Sequence, residues 1–288
     1  MGDIMNQCSP LRYPGAKQWI VPYVEQVIRE NGFVGRTIIE PYAGSCIVSL
    51  SMLEKHVCQS AVLIDRDPLV YAFWRCVFEQ PDKLIERIEN TPIDMNSWYQ
   101  YSSFRDLNEV YDEELLDAGM AGLYLNRTCY SGILKAGPIG GHGQESAYSV
   151  DCRFKKNNII AWIHRLSLLS KRVNVLCTNA IDFLRELNDE GQSFLYLDPP
   201  YYEKGKSLYR YWYTDSDHEE LAKYLHDCKN PWLLSYDDHP RIREMYCDDS
   251  VFRRDLRVGY TAGTKRTAPE ILISNLEIPP WMYREEVE

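Results

Sequence analysis

Short β-branched runs alternate with helical periodicity in two blocks of this chain, and that alternation restricts the fold more than any other feature. Thr37-Ile38-Ile39-Glu40 and Ala61-Val62-Leu63-Ile64-Asp65 are apolar runs that each end on a carboxylate, and the residues between them, from Ser45 to about Lys55, repeat at helical spacing. The pattern resumes at Val173–Cys177, passes through a helical Ile181–Asp189 to a strand at Ser193–Leu197, and continues with a helix near Asp217–His226 and a strand at Trp232–Ser235. Strands that alternate with helices connect in parallel, so the expected class is α/β, a mostly parallel sheet with helices on both faces. Ser250–Val258 and Glu270–Leu276, joined by a polar turn, predict an antiparallel C-terminal hairpin at the sheet edge. From Tyr71 to Arg172 the helical period persists without strands, so residues 73–172 read as an insertion between 1–72 and 173–288. Within it, Gly137, Pro138, Gly140, Gly141 and Gly143 mark an exposed loop between Gly132 and Ser149, and Pro279–Glu288 reads as a tail.

No stretch approaches the ~18–20 consecutive apolar residues of a membrane span, and the N-terminus has no basic segment leading into an apolar core; a cytoplasmic chain is expected. The nine cysteines form no Cys-x-x-Cys pair, which predicts reduced thiols, and the six histidines have no metal-ligand spacing, so no metal is expected. A net charge of -10 argues against nucleic-acid binding over the whole surface, but the charge is unevenly spread. Acids dominate from Cys76 to Asn126. From Arg127 to Arg172 the sign reverses: Arg127, Lys135, Arg153, Lys155, Lys156, Arg165, Lys171 and Arg172 face only Glu145 and Asp151.

The most specific segment follows the strand at Ser193–Leu197: Asp198-Pro199-Pro200-Tyr201. Two prolines fix φ and remove two N–H groups, so the turn is stiff and its carbonyls are free to accept hydrogen bonds. Asp198 then stands at the carboxyl end of a parallel strand, where open α/β sheets bind ligands. A carboxylate, free carbonyls and an aromatic face suit a planar base bearing an amino group. Glu40-Pro41-Tyr42-Ala43-Gly44-Ser45 opens a helix after the first strand, and Asp65 ends the second, where nucleotide sites use an acid to accept from ribose hydroxyls. Asp182-Phe183 offers an acceptor beside an aromatic plane, although Phe183 serves equally well as a core residue of its helix. Arg12-Tyr13-Pro14-Gly15-Ala16-Lys17 is a turn with a base at each end, and Ser235-Tyr236-Asp237-Asp238 ends a strand at the same edge of the sheet.

The order Tyr13-Pro-Gly-Ala-Lys17, Glu40-Pro-Tyr-Ala-Gly44, Asp65, a long insert and then Asp198-Pro-Pro-Tyr201 resembles the Dam-type (D12 class) DNA adenine methyltransferases, from about Leu11 to Leu276. Asn126-Arg127-Thr128-Cys129-Tyr130-Ser131-Gly132 resembles the element that opens the DNA-contacting hairpin of that family. Cys46 replaces the second glycine of the family's Gly-x-Gly motif, and Ser131 replaces an asparagine. The resemblance implies a Rossmann-like methyltransferase with an inserted target-recognition domain, S-adenosylmethionine as cofactor, and methyl transfer to the exocyclic amine of an adenine flipped from duplex DNA. It implies catalytic roles for Asp198, Pro199, Pro200 and Tyr201. Cofactor contacts are expected from Tyr13, Lys17, Glu40, Pro41, Tyr42, Gly44, Asp65, Asp182, Phe183 and Asp198, and DNA contacts from Arg12, Asn126, Arg127, Lys135, Arg153, Lys155 and Lys156. A restriction endonuclease counterpart is compatible with it, and a monomer is the expected state. An RNA methyltransferase and a catalytically silent DNA-binding relative are the alternatives. A dinucleotide oxidoreductase lacks its full Gly-x-Gly-x-x-Gly pattern here and leaves Asp-Pro-Pro-Tyr without a role.

Overall fold

The computed structural model describes residues 9–12, 17–189, 191–260 and 266–280. These form a seven-stranded sheet: β1 (Thr37–Pro41), β2 (Ser60–Asp65), β3 (Val173–Cys177), β4 (Ser193–Leu197), β5 (Trp232–Asp237), β6 (Phe252–Tyr260) and β7 (Arg266–Ser274), in the spatial order β3-β2-β1-β4-β5-β7-β6. β1 to β5 are parallel, with Ile39 in register with Val62 on one side and Leu195 on the other. Every residue of β4 is buried, as expected of a central parallel strand with both faces covered. Successive residues alternate between the two faces: Ile38, Phe194 and Tyr196 join one apolar cluster, while Ile39, Leu195 and Leu197 join the other.

The first cluster is covered by α1 (Val21–Glu30), α2 (Ile47–Glu54) and α3 (Pro68–Glu79), and by the helices that follow before β3. Ile47 to Leu53 of α2 are all buried, Ser49 and Ser51 included, so this helix lies inside the molecule. The inserted segment is helical, as its periodicity predicts: α4 (Pro81–Asn90), α5 (Met95–Ser102), α6 (Leu115–Thr128) and α7 (Lys156–Ser167). Their apolar faces join the same cluster as α1 to α3. α6 lies close on α3 because Gly119 has no side chain; a Cβ there would stand 2.9 Å from the Ala72 carbonyl oxygen.

The opposite face is covered by α8 (Ala180–Glu186), α10 (Asp215–Asp227) and α11 (Pro240–Met245), with the short α9 (Gly205–Leu208) following the Asp-Pro-Pro-Tyr turn. β6 and β7 form the expected antiparallel hairpin at one edge of the sheet. α11 carries the chain from β5 across to β6, and the return strand β7 fills the gap between them, antiparallel to both, so β6 alone forms that edge. The consequence is that β7 lies directly against β5, with Glu270 in register with Asp237. Among the described residues every cysteine is a free thiol, and no helix is long and apolar enough to cross a membrane. Pro279, at the start of the expected tail, accepts a hydrogen bond at 2.7 Å from the Tyr23 hydroxyl.

Candidate active site

β1 and β4 lie side by side, but the chain leaves β1 toward β2 on one flank and β4 toward β5 on the other. Their carboxyl ends therefore diverge into a crevice at a topological switch point. The loop after β1 forms its floor, and Tyr42, Gly44 and Cys46 take left-handed conformations at φ 64°, 46° and 52°. Such a conformation costs a non-glycine residue about 1–2 kcal/mol, so neighbouring groups must hold the loop. Asp65 accepts from the Gly44 and Asp67 N–H groups at 2.9 and 2.8 Å, and Glu40 accepts from Ser49 N–H at 2.8 Å. The Trp74 indole donates to the Gly44 carbonyl at 2.8 Å. Burial pushes both the Glu40 and Asp65 carboxyls up to about 7. The Cys46 thiol, buried and close to these two acids, is pushed well above its ordinary value and stays protonated.

Above this floor a cleft of ≈ 880 Å³, open to solvent, is walled by Lys17, the 42–45 loop, Asp65 to Asp67, Thr178 to Ala180, Asp198 and Pro200. Tyr209, Arg210, Tyr211, Trp212 and Tyr213 close its outer side. Arg210 pins this aromatic strap: it pairs with the buried Asp67 carboxylate at 2.6 Å and donates to the Arg105 and Leu107 carbonyls at 2.6 and 3.0 Å. The Tyr213 and Tyr42 hydroxyls meet at 2.8 Å.

At the inner end of the cleft the Asp-Pro-Pro-Tyr turn gathers residues distant in sequence. Lys17 Nζ reaches Asp198 Oδ1 at 2.9 Å, and the Ser235 hydroxyl donates to the same oxygen at 3.0 Å. Oδ2 has no donor among the described residues, and the Asp198 side chain is 25% exposed. Lys17, only 2% exposed, also lies 3.6 Å from Glu270 Oε2, and its Nζ donates to the Tyr201 hydroxyl at 3.4 Å. Asp237 fixes the far side of the turn by accepting from Tyr202 N–H at 3.0 Å.

The family model for the D12 class N6 adenine-specific DNA methyltransferases matches residues 13–259. The chain belongs to that family. It is 25% identical over 233 residues to the type II methyltransferase M.MjaIII of Methanocaldococcus jannaschii, covering 74% of this chain and 78% of that one. It is 22% identical over 212 residues to the type II methyltransferase M.CviBI of Paramecium bursaria Chlorella virus NC1A, covering 73% and 76%. The retron Ec67 DNA adenine methylase of Escherichia coli is 23% identical over 246 residues, covering 83% and 82%. The chain is therefore an adenine-specific DNA methyltransferase with a Rossmann-like sheet.

In this D12 methyltransferase Lys17, Glu40, Tyr42, Gly44, Asp65, Asp198 and Pro200 come together around the cleft. Pro199 is buried behind it, Tyr201 stands beside Asp198, Pro41 closes β1 without lining the cleft, and Tyr13 lies outside the described residues. Asp182 and Phe183, expected at the cofactor, do not line the cleft. α8 begins at Ala180, capped by Asn179, which puts Asp182 on its solvent side at 66% exposure and Phe183 against the apolar cluster; Thr178, Asn179 and Ala180 line the cleft instead.

Four of the residues expected at the DNA bond to neighbouring parts of the chain. Asn126 is buried, and its amide accepts from Arg12 N–H at 2.7 Å and donates to the Arg12 and Gly132 carbonyls at 2.6 and 3.2 Å. Arg127 is buried, donates to the Pro10 carbonyl at 2.6 Å and lies over the Trp162 ring, and desolvation pushes it down to about 9. Both side chains clamp the segment that leads to Lys17. Lys135 holds the Lys206 and Tyr209 carbonyls of the strap region, and Lys156 caps α4 through the Glu89 and Thr91 carbonyls at 2.8 and 2.7 Å. Arg153 and Lys155 are exposed, and the charge of Arg153, after burial, helps lower the Arg12 guanidinium from its ordinary value. Cys46 and Ser131, the two departures from the family pattern, both sit at positive φ, 52° and 55°. Sequence reasoning missed Glu270 and Arg210 as site residues. The only local signals were an acid directly before an apolar run and a cation within an aromatic run.

Proposed function

We propose that this methyltransferase uses S-adenosylmethionine to methylate the exocyclic amine of an adenine flipped out of duplex DNA, with Asp198 as the principal acceptor for that amine. The cleft suits this donor. Its loop of alternating left-handed residues turns backbone toward the ligand space, and buried carboxyls at the ends of β1 and β2 hold that loop in place. Asp65 would accept from the ribose hydroxyls, Asn179 and Ala180 would border the adenine moiety, and Lys17 and Tyr42 would border the methionine end. The donor supplies an electrophilic methyl carbon on a sulfonium.

An adenine amine is a weak nucleophile because its lone pair is delocalised into the ring. Asp198, with the Pro199 carbonyl, would accept from the two amine hydrogens and favour a pyramidal nitrogen with its lone pair directed into the cleft. The work is orientation and preorganised electrostatics, and no strong general base is needed. Flipping costs a few kcal/mol, and a Tyr201 ring stacked on the base would recover ~1–3 kcal/mol of it. Arg12, Arg153 and Lys155 would meet the DNA, with the 73–172 insert as the target-recognition domain; given the type II relatives, a restriction endonuclease partner is compatible with the same reading.

The observation that carries this reading is one carboxylate oxygen without a donor among the described residues, at the switch point and on a turn stiffened by two prolines. Incubating the protein with methyl-labelled S-adenosylmethionine and unmethylated duplex DNA should place label on adenine N6. Label on cytosine, on RNA alone or on protein would refute it.

A further inference from the structure

β7 brings an acid into the active site from the strand that runs against its neighbours. Glu270 is 2% exposed, and Ile271, Leu272 and Ile273 after it are fully buried, so its carboxylate has little access to solvent. Two partners are the Tyr201 hydroxyl, which donates to Oε1 at 3.4 Å, and Lys17 Nζ, 3.6 Å from Oε2. Lys17 stands between Glu270 and Asp198, closer to Asp198 at 2.9 Å. We infer that Glu270 is a positioning residue for methyl transfer: it supplies the counter-charge of the Lys17 ammonium and anchors the Tyr201 phenol, so that Asp198 keeps its negative charge for the substrate amine. This rests on the function proposed above.

As the amine lone pair forms the new N–C bond, the C–S bond breaks and its electron pair stays on sulfur. The positive charge passes to the amine nitrogen until one of its protons is released to solvent. The group accepting from that amine must therefore be anionic during transfer. Asp198 facing Lys17 alone makes a neutral pair; with Glu270 the three groups carry one net negative charge, on the side where the nitrogen becomes positive. Glu270 also offers Lys17 a second anion to lean on when an amine takes up Asp198. Tyr201, the expected stacking partner of the base, is held by the same carboxylate, so ring and acceptor are set by one anchor.

The test uses full-length protein, a duplex with a target adenine, and a matching duplex with a fluorescent purine analogue at that position, which brightens when unstacked. Glu270→Gln is expected to lower the single-turnover methylation rate by at least roughly tenfold, less than the 10²–10³ of a group that touches the reacting atoms. Binding of DNA, binding of donor and the brightening should each stay within about threefold of wild type, and Glu270→Asp, which keeps the charge, should recover part of the loss. A Glu270→Gln rate within about twofold of wild type, or a loss matched by weaker binding or flipping, overturns the inference. Should Glu270→Gln fail to fold, Lys17→Met/Glu270→Gln is compared with Lys17→Met. Once Lys17 is gone, the second substitution should cost less than about twofold, and a further tenfold loss overturns the inference. A wild-type protein that leaves adenine unmethylated overturns both this inference and the proposed function; an active wild type matched by Glu270→Gln overturns this inference alone.

Discussion

Replacing Asn126 with alanine separates the structural role of this residue from the DNA-binding role that its motif suggests. The amide makes three hydrogen bonds, two to the Arg12 backbone and one to the Gly132 carbonyl, from a buried position. Each contributes about 1 kcal/mol net, and a buried group left unmade costs about 1–3 kcal/mol. The Arg12 groups are only partly buried and water can reach them once the amide is gone, which favours a total near 3 kcal/mol. At about 2 °C per kcal/mol for a chain of this size, the melting temperature should fall by about 6 °C. Residues 9–12 lead directly to Lys17, so donor affinity should weaken as well, while the salt dependence of DNA binding keeps its slope because the amide neutralises no phosphate. Thermal unfolding, donor titration and DNA binding across a salt series on the same preparation give all three readouts. A melting temperature within about 1 °C of wild type, together with a shallower salt slope, would refute the clamp and return Asn126 to the DNA interface.

Replacing Arg153 and Lys155 together with glutamine should reduce the slope of log affinity against log salt by about 0.9 for each phosphate that the two cations neutralise, with no change in melting temperature; an unchanged slope removes this patch from the DNA surface. Glu40 and Asp65 are pushed up to about 7 by burial, whereas unfolded carboxyls titrate near 4. Between those values the folded chain holds protons that the unfolded chain has released, so their contribution to stability falls as pH rises from about 4 to 7 and is flat above. The donor-free protein should melt lower at pH 8 than at pH 6, and Glu40→Gln should flatten that slope; a melting temperature that climbs over this range contradicts the assignment. Ser131 is exposed at φ 55°, so Ser131→Asn should stabilise by up to about 1 kcal/mol, read as a higher midpoint in urea, and a lower midpoint would show that the left-handed turn is held by the serine itself.

The parallel strands were legible because a sheet covered by helices needs short apolar runs, and the edge strand Val173–Cys177 and the central strand Ser193–Leu197 keep the bounds their composition predicts. The Asp-Pro-Pro-Tyr turn was legible because proline acts locally on φ and on the backbone donor count. What stayed hidden depends on long-range pairing. Glu270 meets Tyr201 across 69 residues, and nothing near either residue announces β7 as an inner strand. Arg127 reads as a DNA-binding residue by type and motif, but its burial is decided by a segment 117 residues away, whose Pro10 carbonyl it satisfies. Asp182 lies off the cleft for a smaller reason: α8 begins one residue earlier than its apolar pattern suggests, and Asn179 and Ala180 line the cleft at its start.

Methyl transfer here depends most on Asp198 receiving a hydrogen bond from the substrate amine. Single-turnover methylation by Asp198→Ala tests this directly, since Lys17 keeps Glu270 as a partner and the fold should hold. The rate should fall by about 10²–10³, with DNA affinity, donor affinity and melting temperature close to wild type. Methylation of adenine at an undiminished rate by that variant would contradict this role of Asp198.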